Sequence, residues 1–238
     1  DTGMNRHGLS LAEARVFAAT AGAVEAAGLT LVMSHLACAD APAHPLNALQ
    51  LGRFREIRGL YPGLRASLAN SSGVFLGPDN HFDLVRPGIA VYGGAIVSGE
   101  PTPMRPVARL TASIVQVREV PAGETVGYGG RETTRRASRI AILSVGYADG
   151  FHRAASSADG APGARGLLHG RTVPLIGRIS MDLMAVDVTD VPEAKRGDAI
   201  ELIGDTVTVQ EVAARMGTID YEVLTALGRR YARIYRGG

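Results

Sequence analysis

Apolar and polar positions recur at two different periods along this chain, and the change of period divides it. In the first stretch, SLAEARVFAATAGAVEAAG (10–28), Leu11, Ala14, Phe17, Ala21 and Val24 fall at helical spacing. Ser10 and Glu13 make the S-x-x-E pattern of a capping box, and Gly28 supplies a stop. LTLVMSH (29–35) reads as a buried strand ending at His35. HPLNALQLGRFREIRGL (44–60) reads as a second helix with Pro45 in its first turn. LRASLANS (64–71) is a short strand ending at Asn70 and Ser71. FDLVRPGIAVYGG (82–94) is a third, interrupted at Arg86-Pro87-Gly88. Strands alternating with helices predict parallel βα units. They are too few to close a barrel of eight, which takes about 250 residues. Residues 1–107 therefore read as part of a TIM-type (β/α)8 barrel, in an α/β chain.

Past Arg109 the texture changes. RLTASIVQVREV, SRIAILSVGYA, RTVPLIG, DLMAVDVT and DAIELIG are short β-like runs separated by Gly, Pro and Asp. They predict a mostly antiparallel β domain over 108–238. SSADGAPGARG (156–166) reads as a flexible excursion. TVQEVAARMG, with Thr208 and Glu211 as a capping box, and TIDYEVLTALG, from Thr218 to Gly228, read as two closing helices.

Composition adds limits. The 238 residues are enough for a sizeable core, and 46% are apolar. No apolar run reaches the roughly 20 residues that span a bilayer, so no membrane role is expected. The net charge of +2 comes from scattered arginines with no interleaved aromatic stripe, which argues against nucleic acid. The single cysteine, Cys38, excludes an internal disulfide and fits a reducing, cytoplasmic setting. Of the 25 basic residues only Lys195 is a lysine, so lysine chemistry within this sequence has one candidate.

The polar residues of the first half are placed non-randomly. Arg6, His35, Asn70 with Ser71, and Arg86 each stand at or just past the C-terminal end of an expected strand, where barrel active sites form. Taken alone, His35 reads as a hydrogen-bonded polar residue at a strand end; four such positions from successive strands favour a shared site. The amides of Gly88 and Ile89 in RPGI, with the Ser71 hydroxyl, suit a phosphate. Tyr128 stands between Gly127 and Gly129 in ETVGYGG. It is either a turn residue or an acid/base phenol, which needs its pKa lowered by nearby cations such as arginines. Met181-Asp182 reads as part of a strand, Asp187 and Asp190 as strand ends, and Tyr221 as a half-buried aromatic on the first turn of a helix. No metal-ligand spacing occurs.

Together DTGMNR, HLACAD, ANSSG, DLVRPGIAVYG, ETVGYGG, VGYADGFHR, GRISMDLMAVDVTD and TIDYEVLTALGRRYARIY, in this order along nearly the whole chain, resemble alanine racemase. The resemblance implies an N-terminal eight-stranded βα barrel joined to a C-terminal β domain. It implies a homodimer with composite active sites that uses pyridoxal 5′-phosphate to interconvert L- and D-alanine for cell-wall peptidoglycan. In that family a lysine in a motif like KANAYGHG holds the cofactor as a Schiff base. No such motif occurs here and Lys195 lies in the wrong context, so the sequence reads as a C-terminal portion entering the barrel near its fourth strand.

The resemblance also implies residue roles. Tyr128 is the base that serves the substrate face opposite the lysine, in the partner's site. Arg86 faces the pyridine nitrogen, and His35 links Arg86 with the tyrosine base. Ser71, Gly88, Ile89 and Tyr221 cradle the phosphate, and Asn70 joins the cofactor shell. Arg6 lies near the cofactor's phenolic oxygen and the substrate carboxylate. The backbone amide of Met181 contacts that carboxylate from the partner subunit. Tyr147 and Asp182 take entrance and inner-gate positions. His7 replaces the more usual leucine.

Several alternatives remain. They are a broader-specificity amino-acid racemase, a related barrel decarboxylase, a non-enzymatic barrel that holds pyridoxal phosphate, and a catalytically incomplete fragment. The cysteine motif of the decarboxylases is missing near Tyr128 and Met181, and the non-enzymatic barrels lack a β domain.

Overall fold

Ser10 and Glu13 cap each other in both directions and start α1 (Leu11–Ala19). The expected single helix breaks after it. Thr20 turns extended while its hydroxyl bonds back to the Val16 carbonyl at 2.9 Å, and Gly22 takes a left-handed φ of +73°. The side-chain bond competes with the helix ladder, and only glycine adopts that φ cheaply. The chain resumes as α2 (Ala23–Ala26) and stops at Gly28. The structure, a computed structural model, describes residues 1–237. It divides into two compact units, Asp1–Arg105 and the remainder from Pro106.

In the first unit β1 (Leu31–Met33) and β2 (Arg65–Ser67) pair in parallel, with Val32 opposite Ala66. Between them runs α3 (Pro45–Gly59), with Pro45 in its first turn and His44 as its N-cap. This β-α-β unit is a section of a βα barrel. The inner face of α3 buries Asn47, Gln50, Phe54 and Ile57. Phe54 meets Phe82 edge to face at 4.9 Å and packs with Leu36, Ala66 and Leu68. Tyr61 donates to the Ala14 carbonyl at 2.6 Å and ties α1 to the end of α3.

Two expectations change here. The strand expected through 64–71 stops at Ser67, and Asn70 instead caps a short helix, α4 (Ser71–Phe75). The third expected strand does not form. Arg86 makes one parallel bridge to Asn70, and a 3-10 helix, Ile89–Tyr92, follows. Pro87 has no N–H for a ladder, which ends pairing at that bridge.

The second unit is a six-stranded sheet in the order β6-β5-β8-β3-β4-β7, every pair antiparallel. Its strands are β3 (Leu110–Val120), β4 (Ser138–Leu143), β5 (Arg165–Leu168), β6 (Arg171–Pro174), β7 (Met184–Asp187) and β8 (Ala199–Ile203). The long β3 is the spine, pairing first with β8 and then, past an irregularity at Ile114–Gln116, with β4. Leu110, Ala112 and Ile114 alternate into the core, as an antiparallel strand with one buried face requires.

β5 emerges from the end of the segment that reads as an excursion. Gly166 belongs there because a Cβ would stand 2.4 Å from Ile200 Cγ2 on the neighbouring strand. Two closing helices, α5 (Val209–Met216) and α6 (Asp220–Ala226), form with Thr208 accepting from the Glu211 amide. α6 is shorter than the Thr218–Gly228 span, capped by Ile219 and ended by extended Leu227. Met181 and Asp182 are not in a strand. They lie in a bend just before β7.

Gly150 carries the tightest contact in this unit. Its φ is +95°, and a Cβ would lie 1.8 Å from the Ala226 carbonyl oxygen. Gly150→Ala is expected to lower stability by roughly 2–4 kcal/mol, read as a fall in the urea midpoint at unchanged slope. A wild-type midpoint would show that this backbone approach is soft.

Candidate active site

The first unit gathers its polar residues past the C-terminal ends of β1 and β2. The carboxylate of Asp1 accepts from the amides of Gly3, Met4 and Arg6, at 2.7, 2.9 and 2.9 Å, and so shapes the loop that presents Arg6. The Arg86 guanidinium is gripped by neutral acceptors. It donates to Ser67 Oγ, to the Ser34 carbonyl at 2.6 Å and to the Leu68 carbonyl at 3.3 Å, and it faces His35 Nδ1 at 3.4 Å. Among the described residues no carboxylate pairs with it. Burial pulls its pKa below the ordinary arginine value. Its Nε–H has no partner within the chain among the described residues.

His35 is surrounded by donors. Asn70 Oδ1 accepts from the Gly73 amide at 2.9 Å, which fixes the amide group. Asn70 Nδ2 then donates to the Leu36 carbonyl at 3.1 Å and points its other proton at His35 Nε2, 3.3 Å away. Arg86 approaches the opposite ring nitrogen. A second ring proton would face a donor on either side. Burial first, then repulsion from Arg86 and Arg6, hold His35 below the usual histidine pKa, so the ring is neutral at pH 7.

Ser71 follows Asn70 and therefore stands beside Arg86. Its Oγ accepts from the amides of Gly88 at 2.8 Å and Ala90 at 3.2 Å. With both acceptor sites engaged, this buried hydroxyl keeps its proton to donate. A Cβ at Gly88 would meet nothing within 4 Å, so that backbone borders open space. A hydroxyl and the N–H groups at the start of the Ile89–Tyr92 turn suit an oxyanion, beside a fixed cation that lacks a counter-charge. Arg6, Ser34 and His35 also line a cavity of about 420 Å³.

The second unit carries the remaining candidates. Tyr128 is 68% exposed at the tip of a loop whose glycines at 127 and 129 have φ of +76° and +77°. A Cβ on Gly127 would lie 3.1 Å from the Arg178 amide nitrogen, so the loop lies flat on residue 178. The loop closes through the Val126 amide, which donates to the Glu132 carbonyl at 2.9 Å. The Glu132 carboxylate accepts from the Gly177 amide and from Ser157 Oγ. Desolvation, then repulsion from Arg153 and Arg131, lowers the Arg178 pKa.

The same 177–182 segment meets Tyr147. The Tyr147 amide donates to the Ser180 carbonyl at 3.0 Å, and the Ala148 amide to the Met181 carbonyl at 2.9 Å. Tyr147, Met181 and Asp182 are exposed, and Asp182 pairs with Arg230 at 2.8 Å. Tyr221 stands exposed on the first turn of α6. The chain just beyond the other end of that helix joins this ridge, where the Gly228 amide donates to the Asp149 carbonyl at 2.9 Å. The structure thus groups Arg6, His35, Asn70, Ser71, Arg86, Gly88 and Ile89 in one unit, and Tyr128, Tyr147, Met181, Asp182 and Tyr221 in the other.

Residues 1–95 match the family "Alanine racemase, N-terminal domain" and residues 107–235 match "Alanine racemase, C-terminal domain". The chain belongs to the alanine racemase family. An alanine racemase of Rhizobium meliloti (strain 1021) is 54% identical over all of this chain and 65% of its own length. A biosynthetic alanine racemase of Agrobacterium fabrum is 50% identical over 99% of this chain and 62% of its own length. The crystal structure of alanine racemase from Bartonella henselae with covalently bound pyridoxal phosphate superposes with a TM-score of 0.89 at 40% identity, over 99% of this chain and 64% of that one. The chain therefore spans somewhat less than two thirds of the length of these relatives. The partial barrel followed by an antiparallel β domain is the fold of these alanine racemase neighbours.

Some residues that build this candidate site escape sequence reasoning. Gln50, fully buried, accepts from the Ala37 amide at 2.8 Å and donates to the His35 carbonyl at 2.8 Å, so it fixes the segment carrying His35. Its signal is a glutamine on the helix face that also holds Phe54 and Ile57. Ser34, Ser67 and Leu68 hold Arg86 mostly through carbonyls, which no sequence pattern marks. Arg230 joins Asp182 to Asp149, far from both in sequence.

The donor shell around His35 has a measurable consequence. The folded state lowers its pKa, so the unfolded chain binds more protons below the ordinary value of 6.5. The stability tied to neutral His35 is complete above that pH and is lost as pH falls through the window beneath it. Urea midpoints measured from pH 7.5 to about 5 should decline, and His35→Gln should flatten the part of the decline below about pH 6.5. An unchanged slope in the variant would show that His35 is not held neutral.

Proposed function

We propose that this protein is an alanine racemase that uses pyridoxal 5′-phosphate. One observation carries the reading. Among the described residues Arg86 is a half-buried cation with no carboxylate partner, and Asn70, which it bridges, is followed by Ser71, whose hydroxyl sits on the Gly88 and Ala90 amides. That pair fits a ligand with an uncharged ring nitrogen at one end and a phosphate at the other. When bound, pyridoxal phosphate supplies the electron-withdrawing system that acidifies the amino-acid α-proton.

The chain's own residues take the following parts. Arg86 donates to the ring nitrogen and disfavours its protonation, which moderates electron withdrawal and restrains side reactions. Neutral His35 and Asn70 hold Arg86 and complete the shell. Ser71, Gly88, Ile89 and Tyr221 bind the phosphate. Arg6 and the Met181 amide receive the substrate carboxylate, and Tyr147 and Asp182 line its approach. Lys195, in a turn where its amide donates to Asp198 at 3.0 Å, has no part in holding the cofactor. Tyr128 takes or returns the α-proton on one face, from a second copy of the chain, so that the working form is a homodimer. The reading further takes the enzyme to be cytoplasmic, where the free Cys38 stays reduced, and to supply D-alanine for peptidoglycan.

The two faces of the substrate carbon are served by unlike groups, which makes the reading testable. In the full-length protein loaded with pyridoxal phosphate, L-alanine should yield D-alanine. Tyr128→Phe removes only the phenolic oxygen from an exposed ring, so folding should be retained while turnover falls by about 10²–10⁴-fold in both directions. α-Deuterium washout should persist from D-alanine and nearly vanish from L-alanine. Equal washout from both enantiomers in the variant would reduce Tyr128 to a turn residue. No racemisation by the loaded wild-type protein would refute the activity.

A further inference from the structure

Asp149 is 5% exposed, yet it is a carboxylate. Its Oδ2 accepts from the Gly146 amide at 2.8 Å, and its Oδ1 meets Arg230 Nε at 3.0 Å. The same guanidinium reaches outward, where Nη1 lies 2.8 Å from Asp182 Oδ1. One arginine thus spans a buried and an exposed carboxylate on different segments.

The surrounding backbone is packed without slack. A Cβ on Gly146 would stand 2.3 Å from the Met181 carbonyl oxygen. The 146–150 turn is therefore pressed against 180–182 on one side and 226–228 on the other, and Arg230 bonds to both the turn and the bend. Tyr231, next in the chain, is partly buried, packs against the sheet core and anchors the arginine's backbone. Exposed ion pairs usually contribute little. Here the guanidinium also compensates a buried carboxylate, and its loss leaves that charge uncompensated.

We propose that Arg230 is a positioning residue: by spanning Asp149 and Asp182 it holds the Met181–Asp182 bend at a fixed distance from the turn that carries Tyr147. The proposal rests on the reading above, in which those residues receive and admit the substrate. Arg230 itself touches no reacting atom, so its loss acts on capture more than on turnover. Lysine carries the charge but lacks the fork that bonds two carboxylates at once.

The test uses the full-length, cofactor-loaded protein. Arg230→Gln should raise KM for L-alanine about tenfold while kcat changes by less than about threefold. Asp182→Asn should raise KM similarly, and the double variant should be no worse than the worse single one, because both break one link. Arg230→Lys should keep the stability of the wild type yet retain a raised KM. Arg109→Ala breaks a comparable bridge between a mostly buried and an exposed carboxylate, Glu201 at 3.1 Å and Asp205 at 2.8 Å, and should leave KM unchanged.

Hydrogen exchange reads the tie without activity. In Arg230→Gln the amides of residues 146–148 should exchange faster, with β3 and β4 unaffected. Wild-type KM in Arg230→Gln, or additive KM effects of the two single variants, would overturn the positioning role even if exchange increased. No turnover in any protein, wild type included, would instead strike the activity reading and the positioning role with it.

Discussion

A guanidinium half-removed from water must find acceptors, and in the first unit Arg86 finds them on two segments remote from its own. It takes the Ser34 carbonyl beyond β1, the Ser67 hydroxyl at the end of β2 and the Leu68 carbonyl after it, while its own amide donates to the Ala69 carbonyl at 2.9 Å. The strands here are only three residues long and the third pairing is a single bridge. So little ladder leaves the arrangement of these ends to side-chain bonds. Arg86 supplies them through its two terminal nitrogens, and none of these bonds uses its Nε–H. The group that organises the segments is the group that remains available to a ligand, and His35 stands against it.

The second unit solves a different problem. Its sheet has a continuous core, and the exposed tyrosines stand on loops fastened to one another by backbone contacts. Gly127 lies against Arg178, Gly146 against Met181, and Gly150 against Ala226. At each, a side chain would collide with backbone. An exposed phenol on such a loop has a free ring and a fixed base, which an acid/base group needs if it is to meet a proton at a defined place.

Local chemistry was legible in the sequence wherever its cause is local. Ser10 with Glu13, Pro45 and Gly28 each act within a turn of themselves and behave as their patterns imply, while of the Thr208–Glu211 box the Thr208 half forms. Elements went astray where the cause is distant or ambiguous. Thr20 offers both helix continuation and a back-bonding hydroxyl. Asn70 ends one extended segment and begins a helix. β5 hides in a glycine-rich stretch because its pairing with β6 and β8 is not written in its own residues. The clustering of His35, Asn70, Ser71 and Arg86 was legible because strand ends in a βα unit converge. Their grip on one another was not, since it runs through backbone carbonyls and through Gln50. Residue roles came from the order of motifs along the chain, which periodicity does not carry.

The ionic framework is built almost wholly from guanidinium groups. Arg15 with Glu56, Arg109 with Glu201, Arg165 with Glu211 and Arg230 with Asp149 join segments remote in sequence, and none uses an ammonium. A guanidinium keeps its proton far into alkali, whereas a lysine pair dissolves as the amine titrates. The scaffold is therefore alkali-blind: raising the pH through the range where phenols and amines ionise leaves its cross-links charged. Changes seen in that range report on phenols, the thiol, amines and bound molecules, rather than on these cross-links.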